Sequence, residues 1–166
     1  MKFPEVTLGI KNEKDLPRIR PQKIRSVEVD LTDTDGCIVN DKQSAQVFRA
    51  LWGKNTANLG IQERMYALVL DAAGKPLAGM MVAIGGTRQI HLDVGLVAAL
   101  ALATPRVTVV VICHNHPSGR LTPSDSDKAM TIRLRSALEL VGIQLLDHII
   151  INADGGWLSM CYEGHV

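Results

Sequence analysis

No C-x-x-C pair occurs in this 166-residue chain, and its three cysteines, Cys37, Cys113 and Cys161, stand far apart. An odd count at such spacing argues against a disulfide framework and against a cysteine zinc cluster. A dominant charge is missing too. The formal net charge is +1, so no whole-molecule field draws in nucleic acid or anionic lipid. The most apolar run, VGLVAALALA (94–103), falls far short of the roughly 20 residues a membrane span needs. Met1 to Ile10 has no apolar core of a secretory leader. The expectation is a soluble, cytoplasmic protein in a reducing setting, with no membrane contact. The dinucleotide fingerprint G-x-G-x-x-G is absent as well, although Gly85 and Gly86 interrupt the chain after an apolar segment.

What is present suits a single domain with a real core: 46% of the residues are apolar. Residues 1–22 read as an irregular arm, with Pro4, Pro17 and Pro21 among charges. Lys2, Lys11, Lys14, Arg18, Arg20, Lys23 and Arg25 outnumber Glu5, Glu13 and Asp15 across the arm and its junction. Such an arm can touch DNA phosphates, or it can be a solvated tail; Phe3 is its only aromatic residue. Residues 23–166 form the expected domain.

Within that domain SVEVDL (26–31) alternates like a half-exposed strand. NDKQSAQVFRALWG (40–53) reads as a helix capped by Asn40 or Asp41, with Val47, Phe48, Leu51 and Trp52 on its inner face. ERMYALVLD (63–71) and LAGMMVAI (77–84) form a hairpin whose first strand is apolar on both faces, as an internal strand is. The helix DVGLVAALALAT (93–104) ends before Pro105 and is apolar nearly all round. It is either deeply buried or docks a partner, and a homo-oligomer is compatible with it. RVTVVVIC (106–113) reads as a central strand, and residues 124–142 as a helix with Met130, Leu134, Leu138 and Val141 on one stripe. IQLLDHIIIN (143–152) and WLSMCY (157–162) are the closing strands. Helices interleaved with a mixed sheet predict a three-layer α/β or α+β domain.

The chemistry concentrates in HNHPSGRLTPSDSD (114–127), between the central strand and a helix, where open sheets with flanking helices place their sites. Ser124 followed by Asp127 is a capping-box pattern. In an extended segment His114 and His116 project to the same side. The Pro-Ser-Gly turn then lets the next helix bring Asp127 back toward both imidazoles. Two neutral nitrogens and a carboxylate oxygen would leave a tetrahedral zinc with one open position, as in a hydrolytic rather than a structural site. A base beside that position is still needed. Glu63 is the candidate, because a carboxylate opening an apolar strand is expensive to bury without a reason. Ser124 could donate to an oxyanion or serve as the cap. Cys113 points away from His114 by strand alternation and belongs to the core. His148 reads as a buried, hydrogen-bonded histidine, His91 and His165 as surface residues, and Trp52 and Trp157 as core.

The H-x-H-P-S-G stretch with its downstream P-S-x-x-D, and the distant Glu63, resembles the RadC branch of the JAMM (JAB/MPN-type) metalloprotease superfamily. The resemblance covers about residues 40 to 164. It implies a cytidine-deaminase-like sandwich with a central mixed sheet flanked by helices. It also implies Zn²⁺ held by His114, His116 and Asp127, with Glu63 as acid/base. Superfamily members with this set cut peptide or isopeptide bonds, often to ubiquitin-like tails, so a peptide or ubiquitin-like protein is the implied substrate. The deaminase reaction is not implied, since H-x-E and P-C-x-x-C are absent. The chain departs from the family where IHLDVGLVAAL stands in place of a His-Pro-Arg-Glu stretch, and no helix-hairpin-helix pattern is seen in residues 1–40. The reading is a zinc metallohydrolase of amide or isopeptide bonds. Its rivals are a RadC-type, DNA-repair-associated metal-dependent nuclease and a non-catalytic interaction module.

Overall fold

The computed structural model describes residues 36–52, 59–86 and 90–166. The basic arm and the expected strand 26–31 lie outside the described residues. Helix α1 spans Asp41–Trp52. Asn40 is its cap: its Oδ1 accepts the Gln43 N–H at 2.9 Å. Strands β1 (Arg64–Leu70) and β2 (Pro76–Ile84) form the hairpin. Helix α2 (Val94–Leu102) starts at Asp93, whose carboxylate accepts the Gly95 N–H. Strand β3 (Val109–Asn115), helix α3 (Asp125–Glu139), strand β4 (Gln144–Ile151) and strand β5 (Trp157–Ser159) follow.

The five strands form one mixed sheet in the order β2-β1-β3-β4-β5. All neighbours are antiparallel except β3 and β4, which are parallel and joined through α3. Helices cover both faces, so the fold is α+β in three layers. On one face α1 packs Val47, Phe48 and Trp52 against Leu68, Val111, Cys113 and Ile149. On the other, Val97 and Leu100 of α2 and Met130, Leu134 and Leu138 of α3 pack against Ala67, Val69, Val110, Ile112 and Leu145. Each fully buried Leu or Phe contributes roughly 1.5–3 kcal/mol relative to exposure.

Several details differ from the sequence expectation. Strand β3 begins three positions later than RVTVVVIC suggests and continues through His114 and Asn115. Pro105 and Arg106, whose φ is 67°, turn the chain before it. Strand β5 ends at Ser159, because the chain then enters turns. Val141 lies beyond the end of α3 and is exposed. Trp157 is 38% exposed, with its indole N–H donating to Asp41 at 2.9 Å, and so is not a core residue. Helix α2 buries Val97, Leu100 and Ala101 but leaves Leu102 exposed. Among the described residues no helix is long and apolar enough to cross a membrane.

Strand alternation decides what β3 offers each layer. Val110 and Ile112 face α2 and α3, whereas Val111 and Cys113 face α1. By the same alternation His114 points to the α3 side.

Candidate metal centre

At the end of β3 the chain delivers three ligand-type side chains to one point. His114 Nε2 lies 2.8 Å from His116 Nε2 and 3.3 Å from Asp127 Oδ1. His116 Nε2 lies 3.6 Å from Asp127 Oδ2. One ligand atom from each residue falls within 4.8 Å of the others. Nitrogen and oxygen ligands held tetrahedrally about 2.0–2.1 Å from one ion are about 3.3 Å apart, so this donor set fits a divalent cation.

Local structure holds each of these side chains. The turn after His116 closes through the Gly119 N–H donating to the His116 carbonyl at 3.1 Å, with Gly119 at φ 79°. That left-handed conformation is easiest for glycine. The turn brings the Arg120 carbonyl to 2.8 Å from His116 Nδ1. A carbonyl only accepts, so Nδ1 carries the proton and a neutral His116 has its lone pair on Nε2. Asp127 occupies the third position of a complete capping box. Its Oδ2 accepts from the Ser124 N–H at 2.8 Å and the Ser124 hydroxyl at 2.6 Å, while Oδ1 faces His114. The Ser124 hydroxyl also accepts the Asp127 N–H at 3.1 Å. Ser124 thus both caps the helix and steers the carboxylate.

The electrostatics follow from burial and this crowding. Burial lowers the His114 pKa to about 4; Asp127 pulls it up and His116 pulls it further down. Burial acts downward on His116 too, but its contact with Asp127, the Arg120 carbonyl and the Glu63 charge outweigh it and raise the pKa. Burial pushes Asp127 upward. The imidazoles of His116 and His114 and both Ser124 donors overcome that and hold it well below the usual carboxylate range. The centre therefore favours an ionised carboxylate and a neutral His114, as a cation requires, whereas His116 must give up a proton to bind one.

Glu63 immediately precedes β1 and is only 7% exposed. Its N–H donates to the Gly86 carbonyl, and its own carbonyl accepts from the Gly85 N–H, both at 2.9 Å. Burial raises its pKa; the His116 charge opposes this and the Asp127 charge adds to it. Its carboxyl thus shares the field of His116 and Asp127.

Asn115 and Thr131 carry roles that the sequence did not suggest, whereas His148 is the buried, hydrogen-bonded histidine expected. Asn115, between the two histidines, is fully buried. Its amide donates to the carbonyls of Leu59 at 2.7 Å and Gln62 at 2.9 Å, and its Oδ1 accepts the Arg64 N–H at 2.7 Å. It fastens the segment carrying Glu63 to the strand carrying both imidazoles. The signal was available: an amide in an apolar strand needs buried partners. His148 and Thr131 complete the surroundings: His114 Nδ1 lies 2.7 Å from His148 Nε2, and His148 Nδ1 lies 2.7 Å from Thr131 Oγ1. His91 is exposed and His165 half-buried, and neither belongs to the cluster. Cys113 is buried in the α1 layer. A separate cavity of ≈ 450 Å³, lined by Asn40, Asp41, Asp147 and Tyr162 among others, includes none of the clustered residues.

Comparison with known proteins matches residues 38–165 to the family model described as a RadC-like JAB domain. A UPF0758 protein of Porphyromonas gingivalis is 36% identical over 103 residues, 62% of this chain and 45% of that relative. One of Aquifex aeolicus is 37% identical over 106 residues, again 62% of this chain, and 44% of the relative. A third, of Alcanivorax borkumensis, reaches 53% identity over 57 residues, 34% of this chain and 25% of the relative. The aligned stretches span less than half the length of these curated relatives. The family model covers most of the sequence and both histidines, the aspartate and Glu63 fall inside it, so the chain belongs to the RadC family, with a JAB-type domain.

Proposed function

We propose that this chain is a metal-dependent hydrolase of JAMM type, acting on a peptide or isopeptide bond, with zinc as its metal. The observation that supports this reading is the meeting of His114, His116 and Asp127 at one point, with buried Glu63 in the same electrostatic field. Zn²⁺ bound there would supply a Lewis acid and bring the pKa of a coordinated water toward neutrality. His114, His116 and Asp127 would hold the ion. Three protein ligands would leave room for a reacting water, as a hydrolytic site needs and a closed structural one does not. Glu63 accepts the proton of the attacking water and returns it to the leaving amine; its raised pKa suits both halves of that task. The Ser124 hydroxyl steadies the carbonyl oxygen by turning its proton from Asp127 Oδ2 toward the substrate.

The test is metal analysis of the purified chain, then a screen of peptide, isopeptide-linked and nucleic-acid substrates beside the Glu63→Ala variant. Zinc at one equivalent, with amide hydrolysis that disappears in the variant, supports the reading. Strand cleavage dependent on His114, His116 and Asp127, with salt-sensitive DNA binding through residues 1–25, would identify a nuclease instead. Metal binding with no hydrolysis of any substrate class would favour an interaction module.

A further inference from the structure

We propose that His148 and Thr131 are positioning residues that fix His114 with its proton on Nδ1, so that the Nε2 lone pair faces the metal position. The inference deepens the metal reading above and rests on it.

With both rings neutral, the chain of hydrogen bonds has only one consistent direction. Thr131 Oγ1 lies 2.6 Å from the backbone carbonyl of Asp127. The carbonyl can only accept, so the hydroxyl directs its single proton there. The same hydroxyl oxygen lies 2.7 Å from His148 Nδ1, which must therefore donate to it. A neutral imidazole carries one N–H, so His148 Nε2 holds a lone pair. The donor facing that lone pair is His114 Nδ1, 2.7 Å away. A neutral His114 is then left with a lone pair on Nε2, the atom turned toward His116 and Asp127.

Both rings are fully buried, and neither the Thr131 hydroxyl nor the His114 ring offers His148 a counter-charge, so the neutral form is the one this geometry accommodates. A protonated His148 would reverse the chain by donating from Nε2 to His114. The network also closes on itself. It starts at one ligand, His114 on β3, and ends on the backbone of another, Asp127 on α3. The helix turn that presents the carboxylate thereby sets the tautomer of the imidazole it must work with. Outer partners of this kind hold ligand orientation and typically change metal affinity by 10–100-fold when lost.

The test uses the full chain, metal-free and ¹⁵N-labelled, with imidazole ¹⁵N–¹H correlation spectra at neutral pH. The expected result is Nδ1–H for both His114 and His148. Zinc Kd is then measured by chelator competition for variants that melt cooperatively. Thr131→Val weakens zinc about 10–100-fold and brings in the Nε2–H form of His114, while Thr131→Ser restores both. His148→Gln, which can place an amide oxygen opposite His114 Nδ1–H, keeps affinity close to that of the parent chain, whereas His148→Phe loses it. A parent spectrum with His114 protonated on Nε2 overturns the proposal even where a variant fails to fold. So does a folded Thr131→Val chain with unchanged tautomer and Kd. A parent chain that shows the Nδ1–H form but binds no zinc defeats the metal reading and leaves the tautomer assignment intact.

Discussion

His114 Nε2 and His116 Nε2 stand 2.8 Å apart, with one strand residue between them in sequence. Strand alternation places the two rings on one side, and the Arg120 carbonyl turns the second ring so that its bare nitrogen points at the first. Two ring nitrogens held this close beside a carboxylate call for a shared proton or a cation.

Zinc will stabilise the chain through Asp127. At a free zinc concentration 100 times Kd the folded state gains about 2.7 kcal/mol. For a chain of this size that corresponds to a rise in Tm of roughly 5–10 °C. Asp127→Ala abolishes the rise and also lowers the starting stability by about 1 kcal/mol, because the capping box goes with it. Thermal melts with zinc and with chelator check both effects. An undiminished zinc shift in Asp127→Ala would remove that residue from the ligand set.

Glu63→Gln will keep zinc affinity within a few-fold and lose hydrolysis by about 10²–10⁴-fold. The parent chain's activity will fall as pH drops, because protonating Glu63 removes the base. Burial raises this pKa, so the fall comes at higher pH than for an ordinary exposed carboxylate. The pH–rate profile and zinc content of the variant are the measurements. Retained activity in Glu63→Gln would disqualify Glu63 as the base.

Without metal, the fold will lose stability as pH falls below about 6.5, the unfolded-state value for histidine. The folded His114 resists protonation down to about 4, so between those values the unfolded chain binds more protons. His116 acts in the opposite sense: its raised pKa adds stability as pH falls toward its unfolded value, and that gain is complete before the His114 loss begins. Asp127 loses its contribution only as pH falls toward its depressed folded value, beneath this window. Urea unfolding in chelator at pH 7 and pH 5 will show the slope, and His114→Leu will reduce it to the part that buried His148 contributes. A slope equally steep in that variant would assign it to other groups.

The order and type of the described elements, and the clustered residues themselves, were legible because each had a local signature. Apolar runs marked β1, β3 and β4; the Ser124–Asp127 spacing marked the start of α3; and the H-x-H pair marked the end of β3. The missing parts are those decided by partners distant in sequence. Trp157 looks like a core residue until Asp41 is found beside its indole N–H. The link from His148 to His114 depends on the parallel pairing of β3 with β4, which no local pattern announces. The role of Asn115 needed the loop at Leu59 and Gln62 to be placed against β3.

Asn115 supplies the last prediction. Its side chain meets two carbonyls and one N–H on the segment that carries Glu63. Asn115→Leu keeps the branching at Cγ but leaves those three backbone groups without their amide partner, at about 1–3 kcal/mol for each that stays buried and unsatisfied. Asn115→Asp keeps the acceptor for Arg64 N–H but sets a carboxylate oxygen against the Leu59 and Gln62 carbonyls, so it is the more damaging change. Neither substitution removes an atom from His114, His116 or Asp127. Hydrolysis will therefore fall more steeply than zinc affinity in whichever variant folds, because the base is displaced while the ligands stay in place. Zinc Kd and turnover measured on the same preparations compare the two losses. Equal losses would mean that Asn115 supports the imidazoles rather than the placement of Glu63.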